Sequence, residues 1–406
     1  MFVLLVFIFS LAAFVGARSL VLLQGADFPH FYCAARMLAD GHGHQLFDAD
    51  VQRQYQARYA GRVGTLFTHP PFEAVLYLAV AWLPLRRAYF LWSLLNLAFL
   101  AIAARRLAKE ALLPWDWPVL LAASLTFVPV LLCLLQGQDS LLLLLLVVLA
   151  FTALRRNRTF AAGCWLALGL FKFQIELPLV LVLVLTQSRS GRNGLAKGFA
   201  LVALALAGLS AAISGWSVFT VYPRFLLHLQ AQPFAGIMPQ AMANLRGLTY
   251  FFFRNVQTSR AVAVAILSVA SLIKILTVWK HARLASHQNP ASATPEEFDL
   301  AFANTVLFAL LVSYHLNPHD LALLLLPIPL FLHSALAPTT QLRRPTKWMT
   351  LVLLGVLFLP PLHLWALRAG VYPILSLPLL ALFLIKAPSG LTTQATSPGR
   401  ATTIRD

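Results

Sequence analysis

The sequence predicts an all-α polytopic membrane protein, a bundle of about twelve transmembrane helices with amphipathic surface helices in its first outer loop. Of 406 residues, 59% are hydrophobic and 11% are charged. A soluble domain is nearer half apolar and one quarter charged. Several apolar stretches approach or exceed the ~20 residues that cross a bilayer. Runs such as Leu141–Leu146 do not alternate, which excludes a transmembrane barrel. The net charge of +17 is gathered in short clusters between apolar segments.

Those clusters order the chain. They are Arg105-Arg106-Lys109, Arg155-Arg156-Arg158, Arg189-Arg192-Lys197, Lys280-Arg283 and Arg343-Arg344-Lys347. Their spacing reads as a cytoplasmic side facing anionic membrane lipids, and nucleic acid is not an expected partner. Segments near 88–105, 118–135, 139–154, 197–215, 260–280, 298–314, 319–336, 347–365 and 371–387 then alternate consistently. Met1 to about Leu23 reads as a retained first helix. It lacks a basic leader region, and Ala13–Ala17 offers a poor cleavage site.

Two stretches are irregular. Residues 70–84 are apolar but short, and Arg86-Arg87 follows them. A crossing there would invert every later cluster, so a re-entrant or surface-lying helix is expected. The stretch 159–187 is interrupted by Lys172, Gln174, Glu176 and Pro178, and reads as two short helices that meet near the outer surface. Both termini then lie inside. Residues 1–387 form one transmembrane domain, with outer loops 24–69 and 216–259 building the site. Residues 388–406, rich in Thr, Ser, Pro and Gly, read as a disordered cytoplasmic tail. Residues 285–297 read as a linker. Cys33, Cys133 and Cys164 carry no disulfide framework.

This topology gathers polar pieces on the outer face: the first loop, the turn Gln136-Gly137-Gln138-Asp139, and Tyr314-His315-Leu316-Asn317-Pro318-His319-Asp320. In the first loop, Phe28, Phe31, Tyr32, Ala35 and Leu38 share one helical face. Asp27 and His30, three residues apart, are neighbours at its edge. They read either as an acid–base pair or as a plain helix start, with Asp27 the N-cap and Pro29 in the first turn. His69, before Pro70-Pro71, opens the short helix 70–84. That helix start either offers N–H groups to an anion or is simply a turn.

Asp139 reads first as the cap of the leucine-rich helix that follows it. Lys172 is costly within lipid and marks a site by default, as a phosphate contact, as the partner of Glu176 four residues on, or as both. His315, His319 and Asp320 could offer three metal ligands, but Pro318 breaks their spacing and nothing supplies a fourth. Hydrogen bonding to a polar substrate is the preferred reading, and no metal is expected. Trp82, Trp92, Trp115, Trp117, Trp216 and Trp348 read as an interface belt.

The order of these features resembles a known family. It runs from Asp27-Phe28 through an aromatic-Ala-Ala helix ending at Gly41, His69-Pro70-Pro71 and Leu91-Trp92 with Asn96. It continues with Gly137-Gln138-Asp139-Ser140, an Ala162-Gly163 helix leading to Lys172, and Asn244-Leu245-Arg246-Gly247-Leu248. The chain resembles the GT-C superfamily over about residues 20–330. It is most similar to glycosyltransferase family 87, which includes polyprenol-phosphate-mannose-dependent α-mannosyltransferases.

The resemblance implies a GT-C-like bundle. It also implies inverting transfer of a sugar, mannose by analogy, from a polyprenyl-phosphate-sugar donor to a lipid or glycan acceptor on the outer face, with no cofactor. Asp27 is the implied base, taking the acceptor hydroxyl proton. Lys172 and Arg246 are expected to hold the leaving phosphate. His30, His69, Asp139, His315, His319 and Asp320 complete the expected substrate-binding set. No Gly-rich phosphate loop or Rossmann pattern suggests a nucleotide. The alternatives from other classes are a transporter or flippase of a lipid-linked or polar solute, whose site usually lies at the midplane, and a non-catalytic scaffold.

Overall fold

The computed structural model describes residues 14–16, 18, 26–61, 63–111, 113–230, 238–253, 256–288, 295–337 and 344–385. The expected first helix lies mostly outside these residues, as do the tail 388–406 and part of the linker 285–297. Among the described residues every regular element is helical.

The first loop folds into α1 (Phe28–Ala39) and α2 (Ala49–Ala60), followed by α3 (Pro71–Ala81). The apolar face foreseen for α1 is buried at Phe28, Phe31, Tyr32 and Ala35, and burial extends to Cys33, Ala34 and Met37. α1 is therefore sandwiched in protein. Phe31 stacks on Tyr77 of α3 at 4.6 Å, and Tyr77 meets Trp92 at 4.3 Å. At 11 residues, α3 is about 16 Å long and too short to cross a bilayer. Gln52 of α2 ties the loop down, donating to the Leu46 and Phe67 carbonyls and accepting from Phe67 N–H at 2.7 Å.

The bundle begins with α4 (Leu85–Glu110), α5 (Trp117–Ser124), α6 (Val128–Gln136) and α7 (Ser140–Arg155). It continues with α8 (Thr159–Leu168), α9 (Phe173–Thr186) and α10 (Arg189–Ser214). The second loop holds α11 (Val218–Gln230) and α12 (Leu245–Phe252). Then follow α13 (Gln257–Gln288), α14 (Pro295–Val312), a 3-10 turn Pro318–Leu325 leading into α15 (Pro327–Leu336), α16 (Arg344–Phe358), α17 (Pro360–Arg368) and α18 (Ser376–Leu384).

Among the described residues four helical stretches have the length and apolarity of a membrane span, or up to seven if each bent pair is one span. The expected count of about twelve is not reached by that measure. The three proline-bent pairs are already counted in the seven; Ser140–Arg155, at 16 residues, is shorter than a full span, and the expected first helix lies mostly outside the described residues. α5 and α6 meet at 72°, the Pro318–Leu325 turn and α15 at 42°, and α16 and α17 at 56°, with prolines entering α6, α15 and α17.

The stretch Thr159–Thr186 passes as one span by length, and a straight helix of that size would measure about 40 Å. A methyl on Gly194 would stand 2.3 Å from Thr159 Oγ1, so Thr159 touches α10 shortly after Thr186. The few residues between hold the ends of the stretch within about 25 Å of each other. The stretch must therefore bend at the 3-10 turn Gly169–Lys172, and α8 and α9 are two arms with Lys172 at their junction.

The basic clusters share one end of the bundle. Arg156 at the end of α7 pairs with Glu110 at the end of α4, and Arg155 lies 3.2 Å from Asp299 at the start of α14. At the opposite end Ser214 donates to the Gly43 carbonyl at 2.9 Å, and Tyr222 to that of Thr68 at 3.1 Å, docking both loops on the bundle.

Candidate functional site

Three turns build the site. In the first, Gly137 has a φ of +69°, and a Cβ on it would stand 2.6 Å from Cβ of Phe28. Only glycine allows both the left-handed backbone and this approach. The turn 136–139 is thereby pressed against the start of α1. Asp27 N–H donates to the Gln136 carbonyl at 3.1 Å, and Gln138 Nε2 donates to Asp27 Oδ2 at 2.7 Å. The Asp27 side chain makes no cap bond to α1. It is half-buried, and its carboxylate is directed at Gln138 instead.

The second turn, Gly169–Lys172, buries the Lys172 side chain. Its Nζ lies 2.8 Å from Asp320 Oδ1 and 3.2 Å from Asp139 Oδ1. The expected Lys172–Glu176 pair does not form, because the 3-10 turn breaks the i,i+4 register. The Glu176 carboxyl is directed toward Gly169 instead, standing 2.6 Å from where a Cβ there would be. Asp139 does not cap α7 with its side chain either, since it is held by Lys172.

The third turn contributes Asp320, which is fully buried and accepts from Ser140 Oγ at 2.9 Å and Asn317 N–H at 2.8 Å. His319 Nδ1 meets Gln136 Oε1 at 2.7 Å. His315 stands beside this group with a buried Nδ1 that makes no hydrogen bond. Asn244 joins the second loop to the same turn by donating to the Ser313 carbonyl at 2.7 Å. Arg246 then donates to the Tyr314 carbonyl at 2.9 Å and lies 4.0 Å over the Tyr314 ring.

His30 and His69 stack with ring centroids 6.1 Å apart, and His30 Nδ1 bonds Thr65 Oγ1 at 3.1 Å. His69 Nδ1 lies 2.8 Å from Glu73 Oε2. Burial pushes both imidazoles down to about 3, so they are neutral at physiological pH. Burial and the nearby Asp139 charge raise the Glu73 carboxyl well above the ordinary range. Burial alone would raise Asp139 too, but Lys172 and hydrogen bonding to Glu73 hold it below the usual carboxylate value. The two neighbouring carboxyls are thus pushed in opposite directions, Glu73 up and Asp139 down.

Every expected site residue thus belongs to one neighbourhood at the end of the bundle opposite the basic clusters. Asp27 is half-buried, Lys172, Asp139 and Asp320 are buried together, and His30 and His69 stack on each other. Sequence reasoning missed Glu73 and Tyr77, which is fully buried one turn further along α3. The signal was present, since Glu73 is the single acid in an apolar 11-residue helix and lies four residues from His69. Trp92 is not in an interface belt. It is buried and donates to the Gly137 carbonyl at 3.0 Å, whereas Trp82, Trp216 and Trp348 are exposed.

The His315–His319–Asp320 pattern is not the group that could hold an ion. Among the described residues, that group is His69, Glu73 and Asp139, whose ligand atoms lie within 4.8 Å of one another. A cation there would share Asp139 with Lys172. Chemically, the neighbourhood offers a half-buried carboxylate, Asp27, and a buried ammonium, Lys172, with one N–H left after its two carboxylate contacts.

Among known proteins, the family model of glycosyltransferase family 87 matches residues 67–314. No curated protein and no solved structure gives a match.

Proposed function

This chain belongs to glycosyltransferase family 87, and from that premise we propose that it moves a sugar, mannose by family analogy, from a polyprenyl-phosphate-sugar donor to a lipid or glycan acceptor. The transfer takes place on the outer face and inverts the anomeric centre. The observation that carries this reading is Asp27, half-buried and anchored by Gln138, whose chain neighbour Asp139 contacts buried Lys172. A lipid-phosphate sugar keeps its tail in the bilayer and its sugar at the surface, so a site at one end of a bundle suits it.

The acceptor hydroxyl attacks the anomeric carbon, and the bond to the phosphate oxygen breaks. Asp27 takes the hydroxyl proton, a contribution of about 10²–10⁴ in rate. Lys172 and Arg246 meet the charge that develops on the departing phosphate. Their roles differ in kind. Lys172 is a fixed, buried point charge, while the Arg246 guanidinium, stacked on Tyr314, keeps donors free. His315, His319 and Asp320 orient the group around Lys172. Glu73, His69 and His30 close the opposite wall against water.

The test is transfer by purified protein in vesicles supplied with polyprenyl-phosphate-mannose and membrane acceptors, beside an Asp27→Asn variant. A product of opposite anomeric configuration, lost in the variant, is expected. Transfer that survives Asp27→Asn overturns the base. Failure with every lipid-phosphate sugar overturns the donor class.

A further inference from the structure

A second binding place lies away from the polar site, in the half of the bundle nearer the basic clusters. It is a cavity of about 420 Å³ between α4, α5, α7, α15 and α16, lined by Leu107, Trp115, Ala123, Val148, Leu332 and Leu354 among others. None of the polar site residues lines it. Gly355, also in its wall, is exposed, and a Cβ there would meet nothing within 4 Å, so the cavity opens sideways between helices.

One wall has a charged continuation. Leu351, Leu354 and Phe358 of α16 face the cavity. Counting back along the same face at helical spacing gives Lys347 and then Arg344. Arg344 is exposed and Lys347 half-buried. The apolar stripe therefore ends in two cations at the basic end of the bundle. Trp115 lines the cavity, and Trp348, next to Lys347 in α16, is exposed, as expected of a tryptophan at the headgroup level. Exposed Arg105, Arg106 and Lys109 add positive charge at the same end. Glu110, the acid at the end of α4, is taken by Arg156.

We infer that this cavity holds one acyl chain of an anionic phospholipid from the leaflet at the basic end, with the headgroup phosphate on Lys347 and Arg344. The combination of an apolar slot, a lateral opening and a cationic rim on one helix face matches that amphiphile. The donor's polyprenyl tail is the competing occupant. Its phosphate belongs near Lys172, and neither Lys172 nor its partners Asp139, Ser140 and Asp320 line this cavity, whose lining residues nearest to them in sequence are Leu144 and Leu325.

Native mass spectrometry of the detergent-purified, delipidated protein tests this, with phosphatidylglycerol, phosphatidylcholine or a polyprenyl phosphate added back. Retention of phosphatidylglycerol over phosphatidylcholine is expected, falling about fivefold for Lys347→Gln and again for Arg344→Gln. Gly355→Phe, which fills the opening, should abolish it. Lys347→Gln, near the helix start, leaves the fold readable by thermal unfolding if the Phe variant does not fold. Equal retention of both phospholipids, or no change in Lys347→Gln, overturns the inference. So does retention of polyprenyl phosphate that is lost only in Gly355→Phe, which would make the cavity a donor-tail site. None of these readouts depends on sugar transfer.

Discussion

Nζ of Lys172 lies 2.8 Å from Oδ1 of Asp320, a residue 148 positions away in sequence, and the same ammonium reaches Asp139 at 3.2 Å. One cation therefore holds together the turn between the two arms, the start of α7 and the Pro318–Leu325 turn. Lys172→Gln would leave two buried carboxylates facing each other, at a cost of about 3–5 kcal/mol. Thermal unfolding in detergent should show a large fall for Lys172→Gln. Asp320→Asn, which leaves the Lys172–Asp139 contact, should fall less. Equal melting of parent and Lys172→Gln would show that the three elements are held by packing alone.

Gln138 positions the proposed base through a single 2.7 Å bond. Gln138→Leu should lower kcat about tenfold, the equivalent of one hydrogen bond to a charged group, with KM nearly unchanged. The parallel Asp27→Asn loss should be larger by one order of magnitude or more. A change confined to KM would place Gln138 in acceptor binding instead.

The neutral imidazoles have a consequence for pH. His30 and His69 are held at about 3 in the fold, whereas an unfolded histidine titrates near 6.5. As pH falls below 6.5 the unfolded chain takes up protons that the folded chain refuses. Each imidazole then costs about 2 kcal/mol of stability by pH 5. Melting temperature should fall from pH 7 to pH 5, and His30→Gln should flatten that fall. Comparing the two proteins isolates the imidazole, because Glu73, with its raised carboxyl, favours the fold on acidification.

In the proposed mechanism Lys172 and Arg246 meet the departing phosphate without an ion. Transfer should therefore persist after dialysis against a chelator. Activity lost on chelation and restored by a divalent cation, with Glu73→Gln unresponsive, would instead assign the ion to His69, Glu73 and Asp139.

Much of this arrangement was legible because charge within an apolar chain is rare. Asp27, Asp139, Lys172 and Asp320 stood out for that reason, and the basic clusters located their shared end. Partners were less legible than members. Lys172 was expected to pair with Glu176 at helical spacing, and a four-residue 3-10 turn defeated that register. Asp139 looked like a cap until a lysine from another segment reached it. Glu73 was hidden by its helix, which read as a plain apolar insert. Span counting overreached at segments such as Ser140–Arg155, which are apolar throughout but only 16 residues long, since the proline-bent pairs when joined still bring the described residues to seven. The aromatic packing of α1 between α2 and α3 is a tertiary fact that periodicity alone could not separate from a helix lying on lipid.

The bend at Gly169–Lys172 also bears on how the chain is laid into the membrane during synthesis. A segment that turns back on itself delivers residues 187–188 to the compartment that already holds residues 156–158, and the parity of everything downstream follows. A reporter fused after Thr186 should therefore register on the same side as one fused after Arg158, and the second half of the protein keeps its orientation because one greasy stretch returns instead of crossing.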